Sequence, residues 1–410
     1  MKKARYKATF KSILLLLTLV TVTAAHGADP RQALDQLLAS KSIDPENTAI
    51  YIWDLEADCL VASHRGAESM TPASVMKCVT TAALKGVMPY NSTICTNVYT
   101  EGRLSDGVLM GNLMVEGAGD PSLADGRHKD MPDFISQITE ALEKKGVTRV
   151  EGEIVIDDSF FAGPPAHPSW GASDLSQAYG TGCHAFNFEG NASGKAAVKD
   201  PGAVFVRKMK KALAEAGIEL TETEQETGKG KRSILLAYRS PKAHDLMRSC
   251  MFRSDNLYAE SFLRLFGVEN GGDGSTDSSA KAAMQHWDSL GLPMEGVEIT
   301  DGSGLSRRNL LTAEFLGEVL KLHSDDPIYV SFFPLVGEEG TVKGFLADTP
   351  LQGYMALKTG SMSGIQSYAG YVVAEDFSPT HAVVVMTNNL KNRGAFREAL
   401  AKFFLSIFSD

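Results

Sequence analysis

Three short stretches of this 410-residue sequence bring together residue types that could carry out acyl transfer. Ser74 and Lys77 stand three apart in Thr71-Pro72-Ala73-Ser74-Val75-Met76-Lys77, a spacing that puts both side chains on one face of a helix. An amine so placed can take the proton of the hydroxyl, which a serine nucleophile requires. The pair alone carries little, because Ser278 and Lys281 repeat its spacing. Ser254-Asp255-Asn256 and Lys358-Thr359-Gly360 follow in order and change its weight. Ser254 could relay a proton to a leaving amine, and Asn256 could bond both Lys77 and a substrate amide. Lys358 would lower the pKa of Lys77 by like-charge repulsion, with the helix end assisting. With Thr359 it could also hold a substrate carboxylate. Gly360 would leave room for substrate backbone to pair with its strand, and the N–H groups of Ser74 and Ser361 would form an oxyanion hole. Ser278 and Lys281 fail the same test, since no Ser-x-Asn lies between them and Lys358.

These residues need particular elements beneath them. Thr71 reads as an N-cap and Pro72 as a first helical residue, starting a helix that runs to about Leu84. Residues 240–253 and 256–266 read as helices that leave Ser254 at their junction. Residues 354–358, 367–373 and 382–387 read as an antiparallel meander with Lys358 and Thr359 on an edge strand. A hairpin at 49–53 and 59–62 lies near the front of the chain, and a Gly/Asp/Ser loop at 301–307 is too specific for a plain linker. Between positions 86 and 234 the texture changes: a hairpin around Ser105-Asp106-Gly107, helices at 134–145 and 203–217, and a long irregular loop at 161–179, of the kind that is more often functional than filler. That segment is predicted to be one inserted domain. The catalytic domain would then be discontinuous, 29–85 with 235–410.

Five cationic residues (Lys2, Lys3, Arg5, Lys7 and Lys11) precede an apolar run at 13–20 and then small residues up to Ala28. This is the layout of a signal peptide, 1–28, with an apolar core too short to span a bilayer. The protein is therefore expected to be exported and periplasmic. Losing the leader would move the formal charge from −10 to −15, which argues against nucleic acid or anionic membrane surfaces as partners. The stripe Phe396, Leu400, Phe403, Phe404 and Ile407 on a C-terminal helix could at most touch a membrane peripherally; packing onto the sheet is the simpler expectation. The five cysteines have no metal-ligand spacing. One bridge, such as Cys78 with Cys95, and isolated buried thiols are both compatible with the sequence. Neither metal nor organic cofactor is expected, and oligomeric state is left open.

The three ordered motifs are the signature of serine β-lactamases and penicillin-binding proteins. Beyond them, Gly119-Asp120-Pro121-Ser122-Leu123, the segments 154–160, 170–179, 253–260, 301–307 and 337–344, and nearly the whole mature chain resemble the D-alanyl-D-alanine carboxypeptidase/endopeptidases of the class C penicillin-binding proteins, peptidase family S13. The resemblance implies an α/β (α+β) chain with the β-lactamase/transpeptidase-like fold: an antiparallel five-stranded sheet flanked by helices, with a domain inserted after the nucleophile helix. The 180 residues from Ser74 to Ser254 fit an insert. It further implies a serine carboxypeptidase acting on peptidoglycan stem peptides, with D-alanyl crosslink cleavage left open as a second activity, through an acyl-enzyme on Ser74, with β-lactams as covalent inhibitors. The alternatives are a β-lactamase or esterase on the same scaffold, or a non-catalytic wall-binding or antibiotic sensor. No Glu-x-x-Leu-Asn deacylation segment is present, which counts against the class A β-lactamase type.

Overall fold

A computed structural model describes residues 29–223 and 231–409. The predicted leader lies outside the described residues. Helix α1 (Pro30–Leu38) is capped by Asp29, whose carboxylate accepts from the Arg31 N–H. Strands β1 (Thr48–Asp54) and β2 (Cys59–His64) follow, then α2 (Met76–Val87). The chain then leaves to build a second sheet from β3 (Cys95–Ser105), β4 (Val108–Glu116), α3 (Phe134–Lys144), β5 (Arg149–Glu151) and β6 (Ile154–Asp157). After the two-residue pair β7 (Ala192–Ser193) and β8 (Ala196–Ala197), it completes that unit with α4 (Pro201–Glu215), β9 (Glu219–Thr221) and β10 (Arg232–Arg239). It returns through α5 (Ala243–Arg253), α6 (Asn256–Glu269), α7 (Thr276–Ser289), α8 (Ala313–Leu322) and the single turn α9 (Pro327–Val330). The chain ends in β11 (Met355–Met362), β12 (Ile365–Val373), β13 (Pro379–Thr387) and α10 (Arg393–Phe408).

The first sheet has the order β11-β12-β13-β1-β2, and every pairing in it is antiparallel. Strand side chains alternate between faces, and here both faces are covered. Ala49, Tyr51, Val384 and Met386 enter a core with α2, α5, α6, α7 and α8. Ile50, Ile52, Val383 and Val385 enter another with α1 and α10. This double burial explains why the strands read as apolar runs. It also settles the C-terminal stripe: Phe396, Leu400, Phe403 and Phe404 are buried against the sheet. Among the described residues no helix is long and apolar enough to cross a membrane.

The second sheet runs β10-β3-β4-β5-β9, with β6 also on β4, over a separate core of Phe134, Ile138, Phe205 and Met209 from α3 and α4. Strand β10 pairs with β3 as far as Arg239, so this sheet extends past position 234. The sequence pattern gives one strand over 152–157; the structure makes Ile154–Asp157 of it β6 and places β5 just before it as a separate strand, and both lie parallel to β4. The sequence pattern starts a helix at Ala280 with Ser278 as its cap; the structure starts α7 a turn earlier, at Thr276 with Ser275 as its cap. Ser278 is therefore inside that helix and does not cap it.

Candidate active site

The cap expected at the start of the helix with Ser74 and Lys77 does not form. Thr71 donates its N–H to Asn388 Oδ1 at 3.0 Å, and its carbonyl oxygen accepts from Asn388 Nδ2 at 3.1 Å, so its backbone is held by the side chain of the residue that follows β13. Ala73, at φ +51°, opens a 3₁₀ turn over Ala73–Val75 with no side-chain cap, and α2 starts only at Met76. Two glycines let the turn sit there. A Cβ on Gly304 would stand 1.9 Å from the Ala73 carbonyl oxygen, and one on Gly360 would stand 2.5 Å from the Pro72 carbonyl oxygen. Gly360 thus makes room for the turn that carries Ser74, a different reason from the substrate clearance expected from sequence.

The facing of Ser74 and Lys77 survives the altered helix start. Lys77 is fully buried, and its Nζ lies 3.0 Å from Ser74 Oγ, 2.6 Å from Asn256 Oδ1 and 2.7 Å from the Ser303 carbonyl oxygen. The last two are acceptors only. A neutral amine spends its two hydrogens on them and is left with one lone pair toward the Ser74 hydroxyl. Burial lowers the Lys77 pKa, against the pull of Asp255, Asp301 and Glu260. Desolvation, rather than the second ammonium, is the main cause.

Lys358 lies on β11, the edge strand of the first sheet, and is also fully buried. Its Nζ donates to Ser254 Oγ at 2.8 Å and to the Thr359 carbonyl oxygen at 2.7 Å. Burial first, and the charge of Lys77 second, bring its pKa down to about 7. Ser254 occupies a left-handed position, φ +57°, between α5 and α6, where Asp255 caps α6 through the Tyr258 N–H. Asn256 also donates Nδ2 to the Tyr179 carbonyl oxygen at 2.7 Å, leaving one amide hydrogen for another acceptor. Ser74, Ser254, Asn256 and Thr359 are partly exposed, Gly360 is buried and Ser361 is exposed.

The structure adds residues that motif reading passed over, although each sits in a segment singled out from the sequence. Ser303 supplies the carbonyl on Lys77, and its own N–H donates to Glu260 Oε1 at 2.8 Å. Glu260 is buried, and burial together with the charge of Asp301 pushes its pKa up to about 7. Asp301 accepts from the Gly304 and Ser306 N–H groups and from Asn309 Nδ2. The Trp170 indole donates to the same carboxylate at 2.9 Å, which ties the long irregular loop to this one. Thr341 and Thr359 share a hydroxyl hydrogen bond of 2.7 Å. All five cysteines are free, so the Cys78–Cys95 bridge is not made, and burial pushes the Cys78 thiol up to about 12. No group of three or more metal-ligating side chains occurs among the described residues.

The sequence matches the D-Ala-D-Ala carboxypeptidase 3 (S13) family over residues 30–194 and 189–403. The chain belongs to this family. D-alanyl-D-alanine carboxypeptidase DacB of Haemophilus influenzae is 23% identical over 409 residues, 82% of this S13 chain and 84% of that one. Penicillin-sensitive carboxypeptidase A of Dictyostelium discoideum is 29% identical over 191 residues, which cover 44% of this chain but only 36% of that protein. The crystal structure of H. influenzae penicillin binding protein 4 superposes with a TM-score of 0.76 at 21% identity, over 90% of this chain and 97% of the other. Its complex with a β-lactam gives 0.73. At that identity the likeness shows the fold, which is the transpeptidase-like one.

Proposed function

We propose that this S13 protein is an exported serine D-Ala-D-Ala carboxypeptidase that trims the terminal D-alanine of peptidoglycan pentapeptide stems. In this reading Ser74 is the nucleophile. Lys77, neutral, takes the Ser74 proton as the hydroxyl attacks the penultimate carbonyl, and the N–H groups of Ser74 and Ser361 stabilise the oxyanion. Lys358 and Thr359 hold the terminal carboxylate, Ser254 passes a proton to the departing amine, and Asn256 holds Lys77 and the substrate amide. Water then hydrolyses the ester. β-Lactams offer a strained amide next to a carboxylate and would acylate Ser74 in the same way. The observation that carries the reading is the valence of Lys77: two obligate acceptors consume its hydrogens, and the remaining contact is the Ser74 hydroxyl.

Incubating purified protein with a pentapeptide muropeptide should release free D-alanine, and fluorescent penicillin should label the protein covalently. Rapid nitrocefin turnover without D-alanine release would instead make it a β-lactamase. Labelling with no turnover of any substrate would make it a sensor.

The pH dependence follows from the same geometry. Protonating Lys77 removes the lone pair, so acylation slows as pH falls, about tenfold per unit once the base is mostly protonated. The midpoint is expected below the 10.5 of a free lysine, because burial disfavours the charged amine. A pH–rate profile of penicillin acylation checks this, and a profile that still climbs between pH 9 and pH 11, roughly the range of an unshifted lysine, would rule it out.

A further inference from the structure

Two successive peptide groups of the 301–307 loop are held between a pair of buried carboxylates and α2. The Gly302–Ser303 peptide gives its N–H to Glu260 Oε1 at 2.8 Å, and its carbonyl oxygen accepts from the Thr80 hydroxyl at 2.7 Å. The Ser303–Gly304 peptide gives its N–H to Asp301 Oδ1 at 2.7 Å, and its carbonyl oxygen accepts from Lys77 Nζ at 2.7 Å. Lys77 and Thr80 share one face of α2. Glu260 lies one turn along α6 from Asn256, the other acceptor on Lys77. Lys77, Thr80, Glu260, Asp301 and Ser303 are all buried, where hydrogen bonds in a chain polarise one another most. Asp301 is committed to its loop, accepting from Gly304, Ser306, Asn309 and Trp170. Arg264, one turn further along α6, directs its guanidinium to the carbonyl oxygens of Ala162, Pro164 and Pro165. Glu260 has no part in the reaction steps proposed above, yet a buried carboxylate is costly to keep.

We propose that Glu260 is a positioning residue for acylation: its charge, behind the loop, holds the Ser303 carbonyl on Lys77 and strengthens the amine as a base, so that it can still take the Ser74 proton. The inference rests on the roles proposed above for Ser74 and Lys77. Opposite effects meet on that amine. Desolvation disfavours its charged form, whereas Glu260 on α6, Asp301 in the loop and Asp255 at the α5–α6 junction favour it. Cys250 on α5 and Lys358 on β11 face it as well. Native protein and a Glu260 variant share every one of these groups but one, so a difference between them reads Glu260 alone. Burial first, and the charge of Asp301 second, push the Glu260 carboxyl up to about 7, against the pull of Arg264. Above that pH it carries its charge, which is where a neutral Lys77 is needed.

Glu260→Gln keeps an acceptor for the Ser303 N–H and removes the charge. The rate of penicillin acylation is measured against pH for the full-length native and variant proteins, beside thermal melts. The acid limb of Glu260→Gln is expected to move down by about one pH unit, because an amine without that negative neighbour gives up its proton more readily. Glu260→Asp retains the charge on a shorter stem, and its limb should stay within about half a unit of native even where the rate falls. A residue that merely supported the loop would lower the rate or the melting temperature in both variants and leave both limbs in place. A Glu260→Gln limb that moves by less than about half a unit, or a Glu260→Asp limb that moves as far as that of Glu260→Gln, overturns the inference. Either result leaves the carboxypeptidase reading intact, since the native protein still releases D-alanine. If Glu260→Gln does not fold, Glu260→Asp decides alone: a limb displaced by about a unit or more overturns the role of charge. A native protein that penicillin does not label overturns the roles of Ser74 and Lys77 themselves.

Discussion

Ser74→Ala is expected to abolish covalent penicillin labelling and to cut D-alanine release on the order of 10⁴-fold or more, since losing a nucleophile in a hydroxyl–base unit costs about as much as losing the whole unit. Lys77→Met should cost nearly as much for a different reason. Methionine fills the buried volume but offers no lone pair to Ser74, and it leaves Asn256 Oδ1 and the Ser303 carbonyl without the donor they now share. The double variant should be little worse than either single one, because two residues acting in one proton transfer are not additive. Labelling kinetics and D-alanine release from the three variants decide the point. A labelled band that persists in Ser74→Ala would move the nucleophile elsewhere, and full additivity would mean that Lys77 acts independently of Ser74.

The second large effect is expected from a methyl group. Gly360→Ala would put a Cβ 2.5 Å from the Pro72 carbonyl oxygen and 3.1 Å from the Ser74 and Val75 nitrogens. Gly304→Ala would press on the Ala73 carbonyl oxygen from 1.9 Å, at a φ of +81° that alanine rarely adopts. The turn is thus gripped by two glycines from different segments, and either substitution must displace Ser74 relative to Lys77. Displacement by about 1 Å costs on the order of 10²-fold in rate, and overpacking costs about 1–3 kcal/mol in stability. Acylation rates measured beside thermal melts separate the two effects. Near-native acylation in Gly360→Ala would show that the turn tolerates movement and that its position is not what sets the rate.

Much of this protein could be read along the chain. The three motifs are local, and each lies on the kind of element its residues favour: Ser254 between two helices, Lys358 on an edge strand, Ser74 and Lys77 one turn apart. The helices announced themselves by apolar stripes, which three separate cores then buried; their caps at Asp29, Asp200 and Asn392 are seen only in the structure. Where the reading failed, a distant partner had overruled a local preference. Thr71 looks like a cap until Asn388, 317 residues away, takes its backbone. Ser278 looks like a cap until Ser275 starts α7 a turn sooner.

What the amino-acid order determined by itself was which groups could react and on which kinds of element they would sit. What only the tertiary structure decided was their state. The protonation of Lys77 depends on complete burial and on two carbonyl oxygens supplied by Asn256 and Ser303. The position of Ser303 depends in turn on Glu260, and that of its loop on Asp301 and Trp170. The clearance for the turn that carries Ser74 depends on Gly304 and Gly360. Desolvation, acceptor count and steric clearance are properties of atoms brought together from segments more than a hundred residues apart, so no local pattern encodes them.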